Sequence, residues 1–244
     1  MIPRRLMGVG GNGVPTRSLD FEDSSSQSLS MLSSDFGTFN NKKFAICASI
    51  NQESASTMIT DFGMSEAGAS PQLQLAIQST GTVVRLNVKM GTSGSYIDYF
   101  IYSSSSVISV GSFAHIYAVV DTTQATNSNR LKLYVNGLSV SVTTSGYPSL
   151  NDTFSTASVG QNVRIGPGVS AGNFDGLIYQ ICFFSGTLPT IDQLYSNGRP
   201  LDVRGLPGLY SLLQTTSSST LEDDYVLSTN WTNNGTVTKS TIVP

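Results

Sequence analysis

Charge is scarce in this sequence: Asp, Glu, Lys and Arg together make 12% of its 244 residues, against roughly 25% in an average soluble domain. Glutamate occurs four times, cysteine twice, histidine once and tryptophan once. Helical surfaces are normally built from Glu, Lys, Arg and Ala, so this poverty argues against a helical protein. The 13 Lys and Arg against 16 Asp and Glu leave a net charge of −3. Without a basic excess, nucleic-acid binding through phosphate neutralisation is not expected. No apolar run approaches the roughly 18 residues of a membrane span, so no membrane partner is expected either. Met1–Met7 holds two arginines with no apolar stretch behind them, which is not the pattern of a secretory signal. Two cysteines, Cys47 and Cys182, make no disulfide framework, and each sits mid-strand as a small apolar residue would.

What the chain has is Ser and Thr, 38 and 24 of them, a quarter of all residues. With 23 glycines, that composition reads as all-β. Residues 1–16 read as a flexible arm. Gly8, Gly10 and Gly13 form a G-x-G-x-x-G match there, but Pro15 follows at once and no strand–turn–helix context exists for a nucleotide. From Ser18 onward, strand-like runs alternate with polar turns. Phe44, Ile46, Ala48 and Ile50 share one face of the first strong run. Further runs cover 73–79, 82–90, 96–103, 116–121, 130–136, 138–143, 157–165 and 176–184. Asn136-Gly137 between two of them is the strongest hairpin signal, since a type I′ turn needs positive φ twice. About ten evenly spaced strands fit a two-sheet antiparallel jelly-roll sandwich. One short helix is expected near 189–197, with Thr190 as its cap and Gly198 as its stop.

Four ordered segments carry a family resemblance. Ser18-Leu19-Asp20-Phe21-Glu22-Asp23 is similar to a known opening strand. Phe113–Asp121 is similar to a "WhHIAVVYD" run, with Phe113 where the Trp usually stands. Leu131-Lys132-Leu133-Tyr134-Val135-Asn136-Gly137 matches "LKLYVNG". Ile165-Gly166, then Asn173–Ile178, Phe183 and Leu194-Tyr195 resemble the last motif, but Tyr179-Gln180-Ile181 replaces its acidic positions. The ordered set resembles the laminin-G-like branch of the concanavalin-A-like lectin/glucanase superfamily, which implies a jelly roll over roughly residues 17–200. Residues 209–212 and 233–237 resemble the family's usual N-terminal stretch, here placed last. The 201–244 segment is therefore expected to add strands to the same jelly roll, beside Leu19 and Phe21, or to a neighbouring subunit. That order is known from tailed-phage virion proteins, which implies a non-enzymatic capsid, decoration or tail-fibre role. It also implies assembly in the host cytoplasm, a homo-oligomer (a trimer first) and other virion proteins as partners.

Chemistry is thin. Family glucanases pair two glutamates on one strand, because nucleophile and acid must flank one bond. Here Glu22, Glu53, Glu66 and Glu222 lie far apart in sequence, so no catalytic residue is expected. His115 lacks a nucleophile elbow and reads as structural. One His and two distant Cys do not suit zinc, and no cofactor is expected. Calcium is the exception considered: Asp121, Asn173 and Asp175 are oxygen donors near strand ends. For a glycan, Tyr96, Asp98 and Tyr102, with Phe100 between them, share one strand face and offer rings beside a carboxylate.

Overall fold

The computed structural model describes residues 17–22, 27–54, 60–61, 65–66, 73–78, 82–92, 95–154, 162–166, 174–214, 226–227 and 231–244. The expected arm, 1–16, lies outside them. In chain order the strands begin with β1 (Ser18–Phe21), β2 (Ser28–Leu32), β3 (Lys43–Gln52), β4 (Thr60–Asp61), β5 (Ser65–Glu66) and β6 (Leu73–Gln78). They continue with β7 (Val83–Thr92), β8 (Ser95–Ser103), β9 (Phe113–Asp121), β10 (Leu131–Val135), β11 (Leu138–Ser139) and β12 (Val142–Thr144). Then come β13 (Asn162–Ile165), β14 (Gly176–Ser185), β15 (Tyr195–Ser196), β16 (Arg199–Pro200), β17 (Leu209–Gln214), β18 (Thr232–Asn234) and β19 (Thr238–Ser240). Two single helical turns, α1 (Ser33–Phe36) and α2 (Ile191–Leu194), complete the elements used below.

The main sheet runs β11-β10-β9-β3-β14-β1-β19, and β17 also pairs with β14. Facing it are a five-stranded sheet, β12-β8-β7-β6-β4, and a four-stranded one, β18-β2-β13-β5. All the pairings are antiparallel, including those of β3 with β9 and β14. The alternation along each strand fills the space between the layers. Phe44, Ile46, Ala48 and Ile50 of β3 meet Ile116, Ala118 and Val120 of β9 and Leu131, Leu133 and Val135 of β10. Leu75, Val84, Leu86, Val88 and Ile101 join from the five-stranded sheet, and Leu29, Met31 and Ile165 from the four-stranded one, in a single core. The chain is an all-β, two-layer sandwich of jelly-roll type.

Residues that alternation assigns to the outer face of β3 are buried as well. Ala45 and Cys47 pack with Tyr117, Cys182 and Phe184 under Leu194, Val203 and Leu206, so the segment after β14 roofs the sheet. Tyr117 Oη donates to the Pro189 carbonyl at 2.9 Å, pinning that roof. The helix within it is one turn, with the Thr190 N–H donating to Gln193 Oε1 at 2.9 Å. It stops early because Asn197 and Gly198, at φ 52° and 77°, turn the chain into the β15–β16 hairpin.

Asn136 and Gly137 make the β10–β11 turn, at φ 50° and 84°. The run at 138–143 divides in two: Leu138 pairs with β10, whereas Val142 pairs with β8. The chain changes layers between Ser139 and Val142, where hydrophobic alternation carries no mark of the crossing.

β19 pairs with β1 through Ser18–Asp20. β17 lies beside β14 rather than beside β1, covering Gln180–Phe184, while β1 covers Gly176–Ile178 of the same edge. Leu212, Leu213, Trp231 and Val237 are each at most 2% exposed. Among the described residues, no helix is long and apolar enough to cross a membrane.

Candidate functional site

The five-stranded sheet turns Val84, Leu86, Val88 and Ile101 toward the core. The intervening side chains therefore project from its other face. Register sets Arg85 opposite Tyr102, Asn87 opposite Phe100 and Lys89 opposite Asp98. The Phe100 and Tyr102 rings stack with centroids 6.1 Å apart, and the Arg85 guanidinium sits 5.0 Å from the Phe100 centroid. Lys89 is 3% exposed and reaches Asp98, itself 53% exposed, at 4.0 Å. Arg85, Asn87, Phe100 and Tyr102 are half-buried. Asn87 Oδ1 is buried without a hydrogen-bond partner. Two ring faces, a guanidinium, an amide and a carboxylate thus line one strip. That is the donor set that stacks on a sugar ring and hydrogen-bonds its hydroxyls.

Asp98 and Tyr102 belong to this strip, whereas the Tyr96 side chain lies outside the described residues. Arg85, Asn87 and Lys89 were missed from sequence. The β7 alternation could have flagged them, but only cross-strand register makes them neighbours of β8.

The calcium donors do not converge. Asp121 pairs with Lys43 at one end of β3, while Gly176, next to Asp175, pairs with Gln52 at the other. At about 3.3 Å per residue that separation is about 30 Å, too far for one ion. Asn173 lies outside the described residues.

Asp121 is instead tied down by its own chain. Thr123 N–H and Oγ1 donate to Oδ1 at 3.1 and 2.5 Å, Gln124 Nε2 donates to Oδ2 at 2.8 Å, and Lys43 Nζ stands 3.5 Å away. Burial pushes its carboxyl upward, but those hydrogen bonds and the Lys43 charge outweigh it and hold the carboxyl below its ordinary value.

Asp175 sits among other carboxylates. Its carbonyl accepts from the Glu53 N–H at 3.0 Å. Burial, then repulsion from Asp20, Asp175 and Glu22, raises the Glu53 carboxyl, and burial with Asp175 raises Asp20. Glu22 and Glu53, distant in sequence, therefore sense each other in the fold, which separation along the chain could not reveal. Among the described residues, no group of three or more His, Cys, Asp or Glu side chains is placed to hold a metal ion.

His115 is 3% exposed. Its backbone N–H donates to Asn136 Oδ1, and its backbone carbonyl accepts from the Asn136 N–H, both at 2.8 Å, clamping the β10–β11 turn to β9. Its ring stacks on Tyr195 at 5.0 Å, and its Nε2 lies 3.1 Å from Cys47 Sγ.

Comparison with known proteins bears first on the fold. A family model described as concanavalin A-like lectin/glucanases superfamily matches residues 23–190. A heptameric SAP-like pentraxin from Limulus polyphemus superposes with a TM-score of 0.56 at 15% identity, covering 94% of this chain and 97% of that one. The enzymatically active domain of tailspike protein 2 from bacteriophage CBA120 superposes at 0.50 with 14% identity, over 88% of this chain but 35% of that one. At such identities the likeness is one of fold. A search of the curated proteins finds no match.

Proposed function

The chain belongs to the concanavalin A-like lectin/glucanase superfamily, and from that premise we infer that it is a non-catalytic virion structural protein, a capsid-decoration or tail-fibre component. The observation that carries the non-catalytic part is the commitment of its chemistry-bearing side chains to structure. The one histidine is buried with its ring stacked on Tyr195, and Asp121 spends both oxygens on its own turn. The virion part is supported by the tailspike likeness and by the order of the family segments. A surface rich in Ser and Thr and poor in charge suits close packing against further copies and other virion proteins. A trimer is the expected state.

Native mass spectrometry tests the assembly reading, and a chain that stays monomeric at every concentration contradicts it. Incubation with host polysaccharides tests the non-catalytic reading. Release of reducing ends that Glu53→Gln abolishes would overturn it, because Glu53 is a carboxyl raised beside others, as a general acid is.

The Phe100–Tyr102 strip favours a second reading, recognition of a host or environmental glycan. Glycan-array binding that falls in Phe100→Ala and Tyr102→Ala, with the fold intact, supports it. An array without signal removes it.

A further inference from the structure

The roofed face of the main sheet carries a polar row that neither assembly nor glycan binding uses. Cys47 on β3 and Cys182 on β14 are register partners, each 1% exposed. Directly opposed residues of an antiparallel pair have Cα atoms about 4.5 or 5.5 Å apart. Both separations fall inside the window of about 4.4–6.8 Å that a disulfide requires. Both cysteines are free, buried thiols. Cys182 Sγ also lies 3.6 Å from the Cys47 carbonyl oxygen.

From β9, His115 Nε2 approaches Cys47 Sγ to 3.1 Å. Two residues along β3, Ser49 is the register partner of both His115 and Gln180, and Asn51 follows on the same face. Ser49 Oγ, Asn51 Oδ1 and His115 Nδ1 are all buried without a hydrogen-bond partner in the protein. Buried polar atoms left unpaired are rare, and three on one face mark a place for a small polar guest.

We propose that Cys47 is a peroxide-reactive thiol with Cys182 as its resolving partner, the peroxide being received beside Ser49 Oγ and His115 Nδ1 and the product being a cross-strand disulfide. The two thiols differ in the way those roles demand. Burial works against ionising Cys47, but the Cys182 hydrogen bond and the charge and hydrogen bond of His115 outweigh it, bringing the thiol down to about 5. Burial and the neighbouring Cys47 push Cys182 well upward. The readily ionised sulfur attacks first.

Cys47 Sγ, its proton already handed to His115 Nε2, attacks one oxygen of hydrogen peroxide as the thiolate. The O–O bond breaks, the leaving hydroxide takes that proton and departs as water, and Cys47 is left as a sulfenic acid. Cys182 Sγ then attacks the Cys47 sulfur. The S–O bond breaks, and hydroxide leaves with the Cys182 proton as a second water. Two thiols lose two electrons, and one peroxide becomes two waters.

The test exposes the native full-length chain to excess hydrogen peroxide, quenches with catalase, unfolds it, titrates thiols and digests without reductant. The expected result is loss of both thiols, an intact mass lower by two hydrogen atoms, a linked Cys47–Cys182 peptide, and recovery of both thiols with dithiothreitol. In Cys182→Ser the oxidation stops at a Cys47 sulfenic acid that dimedone traps. His115→Gln, checked by circular dichroism, slows thiol loss about tenfold or more. Should that variant not fold, the native chain's pH profile decides the same point. A rate nearly flat between about pH 6 and 8 supports the proposal, and one rising about tenfold per pH unit, as for an ordinary thiol, overturns it. Recovery of both thiols after peroxide also overturns it, as does oxidation confined to methionine or to a single cysteine in the native chain.

Discussion

Truncation after Arg204 removes β17 and β19, and with them the partners of two strands in the main sheet. β14 loses the pairing of Gln180–Phe184, and β1 loses that of Ser18–Asp20. The core loses Leu212, Leu213, Trp231 and Val237, none more than 2% exposed. Deleting one large buried apolar side chain costs about 2–5 kcal/mol, so losing these four amounts to roughly 10 kcal/mol or more. A domain's whole stability is about 5–15 kcal/mol. The truncated chain is therefore expected to unfold or, with two bare strand edges, to aggregate. Trp231→Ala is the graded version, with an expected loss of about 3–5 kcal/mol. Urea denaturation followed by far-UV circular dichroism measures it, because the substitution removes the chain's one tryptophan fluorophore. A truncated chain with unchanged melting, or a Trp231→Ala loss within about 0.5 kcal/mol as for surface changes, refutes the reasoning. A truncated chain that folds but no longer assembles shows instead that these strands are given to a neighbouring subunit.

Leu133, 1% exposed in the middle of β10, is expected to cost about 2–5 kcal/mol as Leu133→Ala in the same denaturation assay. Asp121→Asn is expected to lose about 1–3 kcal/mol at neutral pH. Since the folded Asp121 carboxyl is held low, its stabilisation is present above the unfolded value near 3.9 and lost as pH falls through the folded one. The variant's deficit, followed by thermal melts against pH, should therefore shrink in acid. Glu53 has the opposite sign: its folded carboxyl is raised, so stability is lost as pH rises through that value and regained in mild acid. Glu53→Gln should melt higher than the native chain at neutral pH and match it near pH 4, and a lower melting temperature at neutral pH contradicts the crowded-carboxylate account.

Strand alternation made the sandwich readable before its coordinates: Phe44, Ile46, Ala48 and Ile50 were legible as a core face, and Asn136-Gly137 as its hairpin. Period-two patterning states which side of a strand is apolar, but not which strands are neighbours. The division of 138–143 between two layers was therefore invisible, as was the placement of β17 beside β14 rather than β1. The same limit governs the site. Asp98 and Tyr102 could be chosen on one strand, whereas Arg85, Asn87 and Lys89 become their partners only through the β7–β8 register. Asp121 and Asp175 looked alike as loop-end oxygens, yet β3 separates them by its full length. Cys47 and Cys182 looked like isolated apolar fillers because they stand 135 positions apart in the sequence.

The central claim, a non-catalytic structural protein of a virion, is tested most directly by quantitative mass spectrometry of gradient-purified virus particles released by cells that carry this sequence. The account predicts its peptides in the particle at a fixed, many-copy ratio to the major capsid or tail proteins, retained through high-salt washing. Its absence from washed particles, with the protein recovered only from the lysed host's soluble fraction, would contradict the account.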